Sequence, residues 1–274
     1  MNDASLLGAG RLRELCRQHG IRPRKSLGQN FVIDPNTIRK VVDLAKLRRS
    51  DVVIEIGAGA GSLTVALAGS VERVIAVEVD GRLIPLLDDL LAAHENVQVI
   101  NSDAASLDWG SIDADALVAN LPYNIAVSLV LLVLERAPRI RRLTVMTQRE
   151  AGERLAASPG SKVYGASSVI AQFFAEVSVA ARVSANAFWP VPNVDSVVVT
   201  LQRHESLPDV PVDRFARVVH AAFGQRRKML RNALGELAGG TAQAEEVLRH
   251  AALDPRTRAE DVSLEGFVAL AKAL

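Results

Sequence analysis

A chain of 274 residues, 49% apolar and 23% charged, has room for one large domain and a small appendage, and its composition excludes disorder as the dominant state. A single cysteine, Cys16, excludes an intrachain disulfide and points to a reducing, cytosolic setting. The net charge of +1 announces no polyanionic partner, and the most apolar run, 125–134, covers half of the roughly 20 residues that a bilayer crossing needs, so no membrane association is expected.

Helical patterns open the chain at 6–19 and 36–47. From Arg11 to Lys25, six basic residues (Arg11, Arg13, Arg17, Arg22, Arg24 and Lys25) stand against one acid, Glu14. Such a local excess is what a phosphate backbone meets. The β-branched run 52–56 then enters Gly57-Ala-Gly59-Ala-Gly61. These glycines admit positive φ and close approach of a ligand to the backbone. A dinucleotide fingerprint would place its third glycine where Ser62 stands. The spacing therefore favours S-adenosylmethionine over a nicotinamide dinucleotide.

A helix at 63–68 leads to a strand at 73–79. Glu78 ends that strand, where an acid accepts both hydroxyls of a ribose. After a helix at 82–93 and a strand at 97–101 comes Asp103, placed to accept from an adenine amino group. The strand 116–119 delivers Asn120-Leu121-Pro122-Tyr123. An adenine amine is a poor nucleophile because its lone pair is delocalised into the ring. Two acceptors, the Asn120 side-chain carbonyl and the Leu121 backbone carbonyl, would hold its N–H bonds so that the lone pair points at a methyl donor. Pro122 fixes the turn and brings no competing N–H. Tyr123 offers a ring on which an unstacked base can lie, a contact worth about 1–3 kcal/mol. In-line transfer from a sulfonium is a matter of alignment, and no metal is expected.

Downstream, helices are predicted at 126–136, 149–156 and 164–174, and strands at 143–147, 177–183 and 196–203. Arg136, Arg139, Arg141 and Arg142 form another basic cluster, with no role assigned. The last two strands have no helix between them and read as an antiparallel pair, the usual ending of a methyltransferase sheet. A Pro-containing linker spans 204–211, and only helical patterns follow, at 212–223, 226–237, 243–252 and 264–273. The expected architecture is α/β: a mostly parallel sheet covered on both faces in a catalytic domain, 1–204, and a small all-helical domain, 205–274. Arg226, Arg227, Lys228 and Arg231 fall on the predicted helix 226–237, where spacing places 227, 228 and 231 on one face.

The chain resembles the small-subunit ribosomal RNA adenine dimethyltransferases, the kasugamycin-sensitivity methyltransferases of bacteria. The resemblance covers nearly the whole chain. It rests on Lys25-Ser-Leu-Gly-Gln-Asn30-Phe31, Glu55-Ile-Gly57-Ala-Gly59-Ala-Gly61, Asn120-Leu-Pro-Tyr-Asn-Ile125, Phe188-Trp-Pro190-Val-Pro192-Asn-Val194-Asp-Ser196 and Ala222-Phe-Gly-Gln-Arg226-Arg-Lys-Met-Leu-Arg-Asn232, in that order. It implies a Rossmann-like class I methyltransferase fold and S-adenosylmethionine as cofactor. Asn30 and the Val32 backbone would lie over the cofactor, Gly57 would meet its methionine part, Glu78 its ribose and Asp103 its adenine, with Gly59 and Gly61 of the same loop also binding the cofactor. Asn120 would serve both cofactor and target amine, and Phe188 would wall the base pocket opposite Tyr123. The substrate implied is a pair of adjacent adenosines in the 3′-terminal hairpin loop of 16S rRNA, each methylated twice in the pre-30S particle late in subunit assembly. Arg24, Lys25, Arg226, Arg227, Lys228 and Arg231 would grip rRNA phosphates, and a monomer is expected. Two departures from the family pattern, Ala58 for a frequent proline and Val32 for a frequent leucine, keep an apolar residue. The alternatives are a large-subunit rRNA adenine methyltransferase of the macrolide-resistance type, a DNA adenine methyltransferase, and a non-catalytic ribosome-assembly factor. Leu121 disfavours the DNA enzyme, which carries a proline there, and the intact Gly57, Glu78, Asn120 and Tyr123 disfavour a dead site.

Overall fold

The computed structural model describes residues 6–225 and 228–274, with backbone only at Lys25. The chain divides into two compact units. One runs up to Gly152 and takes up Ser178–Arg203, and the other combines Glu153–Val177 with His204–Leu274. The expected boundary near residue 205 matches one division point. The expectation that everything before it belongs to the catalytic domain is corrected, because Glu153–Val177 groups with the C-terminal helices. The reason is packing: the Phe173 ring stacks on Phe215 at 4.2 Å between centroids, and the Gln172 and Phe174 carbonyls both bond to His204.

The first unit is built on a sheet of short apolar runs. Its strands are β2 (Val52–Ile56), β3 (Arg73–Glu78), β4 (Val97–Asn101), β5 (Ala116–Asn120), β6 (Arg142–Gln148), β7 (Ala175–Val183, which belongs to this unit from Ser178 on) and β9 (Ser196–Arg203). Their order is β4-β3-β2-β5-β6-β9-β7. β2 pairs in parallel with β3 and β5, β3 with β4, and β5 with β6, whereas β9 runs antiparallel to β6. Consecutive residues of β2, β3, β5 and β6 are buried, which alternating side chains allow only when both faces are covered. A second, two-stranded ladder joins β1 (Phe31–Val32) to β8 (Phe188–Trp189).

The winding reverses at β2. The chain steps outward through β3 and β4, then returns to lay β5 on the other side. Such a switch point leaves a crevice at the carboxyl ends of the two strands. One core joins strand residues Val53, Val118 and Met146 to α2 (Pro35–Leu44) and α3 (Ser62–Ala68) through Ile38, Val41 and Leu67. Asp34 starts α2 by accepting from the N–H groups of Asn36 and Thr37, and Pro35 fits the first turn. A second core holds α1 (Ala9–Gln18) through Leu12, Leu15 and Cys16 to Phe31, Ala60, Leu83 and Leu86, the last on α4 (Ile84–Leu91). The apolar run 125–134 becomes α5 (Ala126–Arg136), capped by a buried cation. Arg203 donates to the carbonyls of Val133, Leu134, Ala137 and Ile140, which answers the open carbonyls and negative pole of a helix end. Among the described residues, no helix is long and apolar enough to cross a membrane.

The second unit is helical and aromatic. Five of the seven phenylalanines (Phe173, Phe174, Phe215, Phe223 and Phe267) lie in it. They come from α7 (Ala166–Phe174), α8 (Val212–Gly224) and α12 (Leu264–Ala273), which surround α9 (Leu230–Ala233), α10 (Gly235–Ala238) and α11 (Thr241–His250) in the chain. Tyr164 donates to the Val262 carbonyl at 2.9 Å. The expected helix 226–237 is corrected to the two short helices α9 and α10. Met229 is extended, and the Leu230 N–H bonds to the Thr257 carbonyl instead of a preceding turn.

Candidate active site

At the carboxyl ends of β2 and β5 two glycine-dependent features meet. Gly57 (φ 74°) and Gly59 (φ 58°) hold the loop after β2 in the left-handed region. The Gly57 and Ala58 N–H groups both bond to the Val77 carbonyl, which ties this loop to β3. A Cβ on Gly59 would come within 3.1 Å of the Phe31 ring, so the glycine lets the β1 segment close over the loop. Gly61 acts differently from the expectation of a cofactor contact. A Cβ there would meet Leu90 and Leu87 of α4, and Gly61 faces helix packing while Gly57 and Gly59 line the cleft.

The cleft, counted out to where it opens on solvent, spans about 490 Å³ and is lined by Asn30, Gly57, Gly59, Glu78, Asn120 and Tyr123 among others. A smaller recess beneath it adds Val32, Glu55 and Ser62. Among the described residues, no lysine or arginine lines either space. A pyrophosphate would find no countercharge there, whereas a cationic sulfonium would find carboxyl groups. Glu78 is buried at the end of β3. One of its oxygens accepts from the Gly59 N–H at 2.8 Å and the other from the Asp80 N–H at 2.9 Å. Burial raises its carboxyl above the ordinary range, against those two bonds. Each oxygen keeps a lone pair for a ligand hydroxyl. Asp103 stands beyond β4, exposed, with one oxygen on the Ala105 N–H at 2.9 Å.

Asn120 is held by its amide. Its Nδ2 donates to the Asn30 carbonyl at 3.0 Å, and Asn30 in turn donates to the Gly28 carbonyl at 3.1 Å. This leaves Asn120 Oδ1 and the Leu121 carbonyl without a hydrogen bond among the described residues, and both residues line the cleft. The Leu121 N–H is taken by the Met146 carbonyl at 2.9 Å, which fixes the turn through Pro122. Tyr123 is half-buried, and its hydroxyl lies 3.1 Å from that of Ser196. A neighbouring cleft of about 1010 Å³ shares Asn30 and Tyr123 with the first and continues along Asn124, Gln148 and Pro190–Asn193. Phe188 does not take part in it. Expected as the second wall of a base pocket, it is fully buried among Val32, Met146 and Val198, and the wall is made by the residues that follow Trp189.

Several contributors escaped the sequence reading. Gln29 bridges the Arg24 N–H, at 2.8 Å, and Asp80, at 2.9 Å, and so ties the entry segment to the end of β3. Asp80 is paired with Arg82, which holds its carboxyl down at about 2. Glu55 is fully buried. Burial pushes its carboxyl up to about 8, and the negative charge of Glu78 adds to the rise. Glu55 Oε2, Ser62 Oγ and Thr64 Oγ1 have no hydrogen-bond partner among the described residues. A lone acid inside the apolar run VVIEI was the available signal for it.

The basic residues divide. Arg24 and Lys228 are exposed. Arg231 is paired with Glu245 at 2.7 Å, and Glu245 also holds Arg249. Arg226 and Arg227 lie outside the described residues, as does the Lys25 side chain. The expected shared helix face of 227, 228 and 231 is corrected, since Lys228 precedes the first helical residue, Leu230. In the unassigned cluster Arg142 is structural, bonded to Asp51 and to the Lys46 carbonyl.

The ribosomal RNA adenine dimethylase family matches residues 20–274. The chain belongs to this family. Two relatives, each called ribosomal RNA small subunit methyltransferase A, are 46% identical to it. The one from Leifsonia xyli subsp. xyli aligns over 99% of both chains, and the one from Thermobifida fusca over 98% of this chain and 96% of its own. Among solved structures, a dimethyladenosine transferase from Plasmodium falciparum superposes with a TM-score of 0.79 at 25% identity, covering 88% of this chain and 95% of that one. The 23S rRNA methyltransferase ErmE gives 0.72 at 27% identity, over 89% and 99%. The fold of the first unit is accordingly the Rossmann-like class I methyltransferase fold. The cleft at the switch point carries Asn120-Leu-Pro-Tyr123 at the end of β5 and the glycine loop after β2.

Proposed function

We propose that this chain dimethylates the exocyclic N6 amine of two adjacent adenosines in the 3′-terminal hairpin loop of 16S rRNA, using S-adenosylmethionine, in the cytosol and during late assembly of the small subunit. The observation that carries the reading is the amide of Asn120, whose Nδ2 is engaged by the Asn30 carbonyl while Oδ1 keeps its lone pairs, in a cleft that Leu121 also lines.

The residues fit the cofactor. The loop at Gly57 and Gly59 admits close approach, the lining holds no cation among the described residues, Glu78 has lone pairs for a ribose, and Asp103 stands exposed at the next strand end for an adenine amine. S-adenosylmethionine, when bound, supplies a methyl group on a sulfonium. Asn120 and Leu121 hold the amine N–H bonds and so turn its lone pair out of conjugation. Tyr123, anchored by Ser196, gives the flipped base a face to rest on. The amine becomes acidic as it bonds to carbon, so its proton leaves to solvent without a strong base. Exposed Arg24 and Lys228 supply phosphate contacts, and Arg231 would have to share its charge with Glu245. Small-subunit RNA is preferred over large-subunit RNA because the small-subunit relatives are 46% identical and the 23S enzyme 27%.

The test is transfer of labelled methyl groups to small subunits that lack this modification, beside naked 16S rRNA, large subunits and the Asn120→Ala protein. Dimethyladenosine in small-subunit rRNA is expected, with Asn120→Ala slower by on the order of 10²-fold or more, the typical cost of a lost preorganised polar contact. Cofactor binding without transfer to small subunits would overturn the substrate assignment.

A further inference from the structure

The second cleft holds an amide that the proposed chemistry does not use. Gln148 closes β6 and lines the space of about 1010 Å³ beside Tyr123. Its register places it opposite Ser196 on β9, while Asn120 on β5 lies opposite Met146, two residues earlier on β6. Side chains opposite each other share a face, and so do residues two apart on a strand. Asn120, Gln148 and Ser196 therefore project from one face of the sheet, and Ser196 meets the Tyr123 hydroxyl.

The position is rigid and the amide is free. Gln148 pairs with Ser196 in the ladder, and the next N–H, that of Arg149, bonds to the Asp195 carbonyl at 3.1 Å. The Gln148 side chain is half-buried and makes no hydrogen bond among the described residues. Asn124 and Asn193 share the cleft, but they are exposed and sit in loops. Among the described residues the lining of this cleft carries no charged side chain, so what these residues offer a base is neutral hydrogen bonding.

We infer that Gln148 is a specificity-determining residue that reads the target base, its Nε2–H donating to the ring nitrogen next to the reactive amine, N1 or N7 of adenine. This inference rests on the adenine-methylating reading of the site. With the amine held by Asn120 and Leu121, the acceptors flanking it are the part of the adenine edge still unread. N1 distinguishes adenine from guanine, whose N1 bears a hydrogen and would oppose a donor. A glutamine amide suits an adenine edge because it both donates and accepts.

The experiment uses the full chain and small subunits reconstituted with 16S rRNA carrying adenosine, 1-deazaadenosine or 7-deazaadenosine at the target positions. Wild type, Gln148→Met and Gln148→Glu are compared, and cofactor binding and thermal midpoint are measured for each. On adenosine, Gln148→Met is expected to lower kcat/KM about tenfold, the loss of one hydrogen bond to the base, with cofactor binding unchanged. Gln148→Glu is expected to lose more, since a carboxylate faces the ring lone pair. One deaza substrate should slow the wild type by a factor similar to that of the Met variant, and slow the Met variant hardly further. Equal deaza losses in both proteins, or a Met variant as active as wild type, would overturn the assignment. A wild type inactive on adenosine subunits would instead overturn the methylation reading, and this inference with it.

Discussion

At the scale of single residues, burial decides chemistry. Glu55 and Glu78 both occupy strand ends at the cleft, but Glu78 is satisfied by two backbone N–H groups while Glu55 Oε2 has no partner among the described residues. Glu55, raised to about 8 chiefly by burial, favours its protonated form in the fold. The unfolded chain ionises at ordinary carboxylate pH, so the stability this group contributes is present at acid pH and lost as pH rises through about 8. Denaturation of the ligand-free protein at pH 5 and pH 8.5 should show the loss, on the order of a few kcal/mol. Glu55→Gln should remove most of it, and identical pH profiles for the two proteins would show that the carboxyl is already ionised in the fold. The legibility of the site follows the same division. Gly57, Glu78, Asn120 and Tyr123 were readable because glycine spacing and strand-end polar residues leave a pattern. Gln29 and Gln148 left none, since a single amide at the end of a strand is indistinguishable from surface until the ladder shows what it faces. Phe188 was assigned to a pocket wall, and its burial shows that an aromatic beside Pro-Val-Pro can serve the core instead.

At the scale of elements, most strands and helices follow from the alternation of apolar runs, because a strand buried on both faces has few other ways to be written. The predicted strands 52–56, 97–101 and 196–203 coincide with β2, β4 and β9. The exception, 226–237, carries helical spacing that a tertiary bond from Leu230 to Thr257 overrides. Gly61 shows how a motif residue can serve architecture rather than ligand. It starts α3 in the left-handed region and lies where α4 comes closest, with Leu90 Cδ2 only 2.5 Å from the position a Cβ would occupy. Gly61→Ala should destabilise the protein by about 1–3 kcal/mol through crowding and backbone strain. Urea unfolding would measure it, and an unchanged midpoint would mean that α3 and α4 yield without cost.

At the scale of the whole molecule, two units are stabilised differently, one by an aliphatic sheet core and the other by clustered aromatic rings. Composition could not reveal this, because aromatic residues are only 4% of the chain and their concentration in one unit is a matter of position. Nor could it assign Glu153–Val177 to the second unit, since that assignment depends on partners far along the chain. The N-terminal helix α1 has a further use. Cys16, 1% exposed, lies in the cluster that joins α1 to Phe31, and Phe31 closes over Gly59. Burial raises its thiol to about 11, so it is doubly shielded from alkylating reagents. Its modification must wait for α1 to lift away, which makes the lone thiol a built-in clock of opening at this end of the molecule. S-adenosylhomocysteine bound against Phe31 should slow that clock several-fold in a mass-spectrometric time course, and an unchanged rate would show that α1 breathes independently of the cleft.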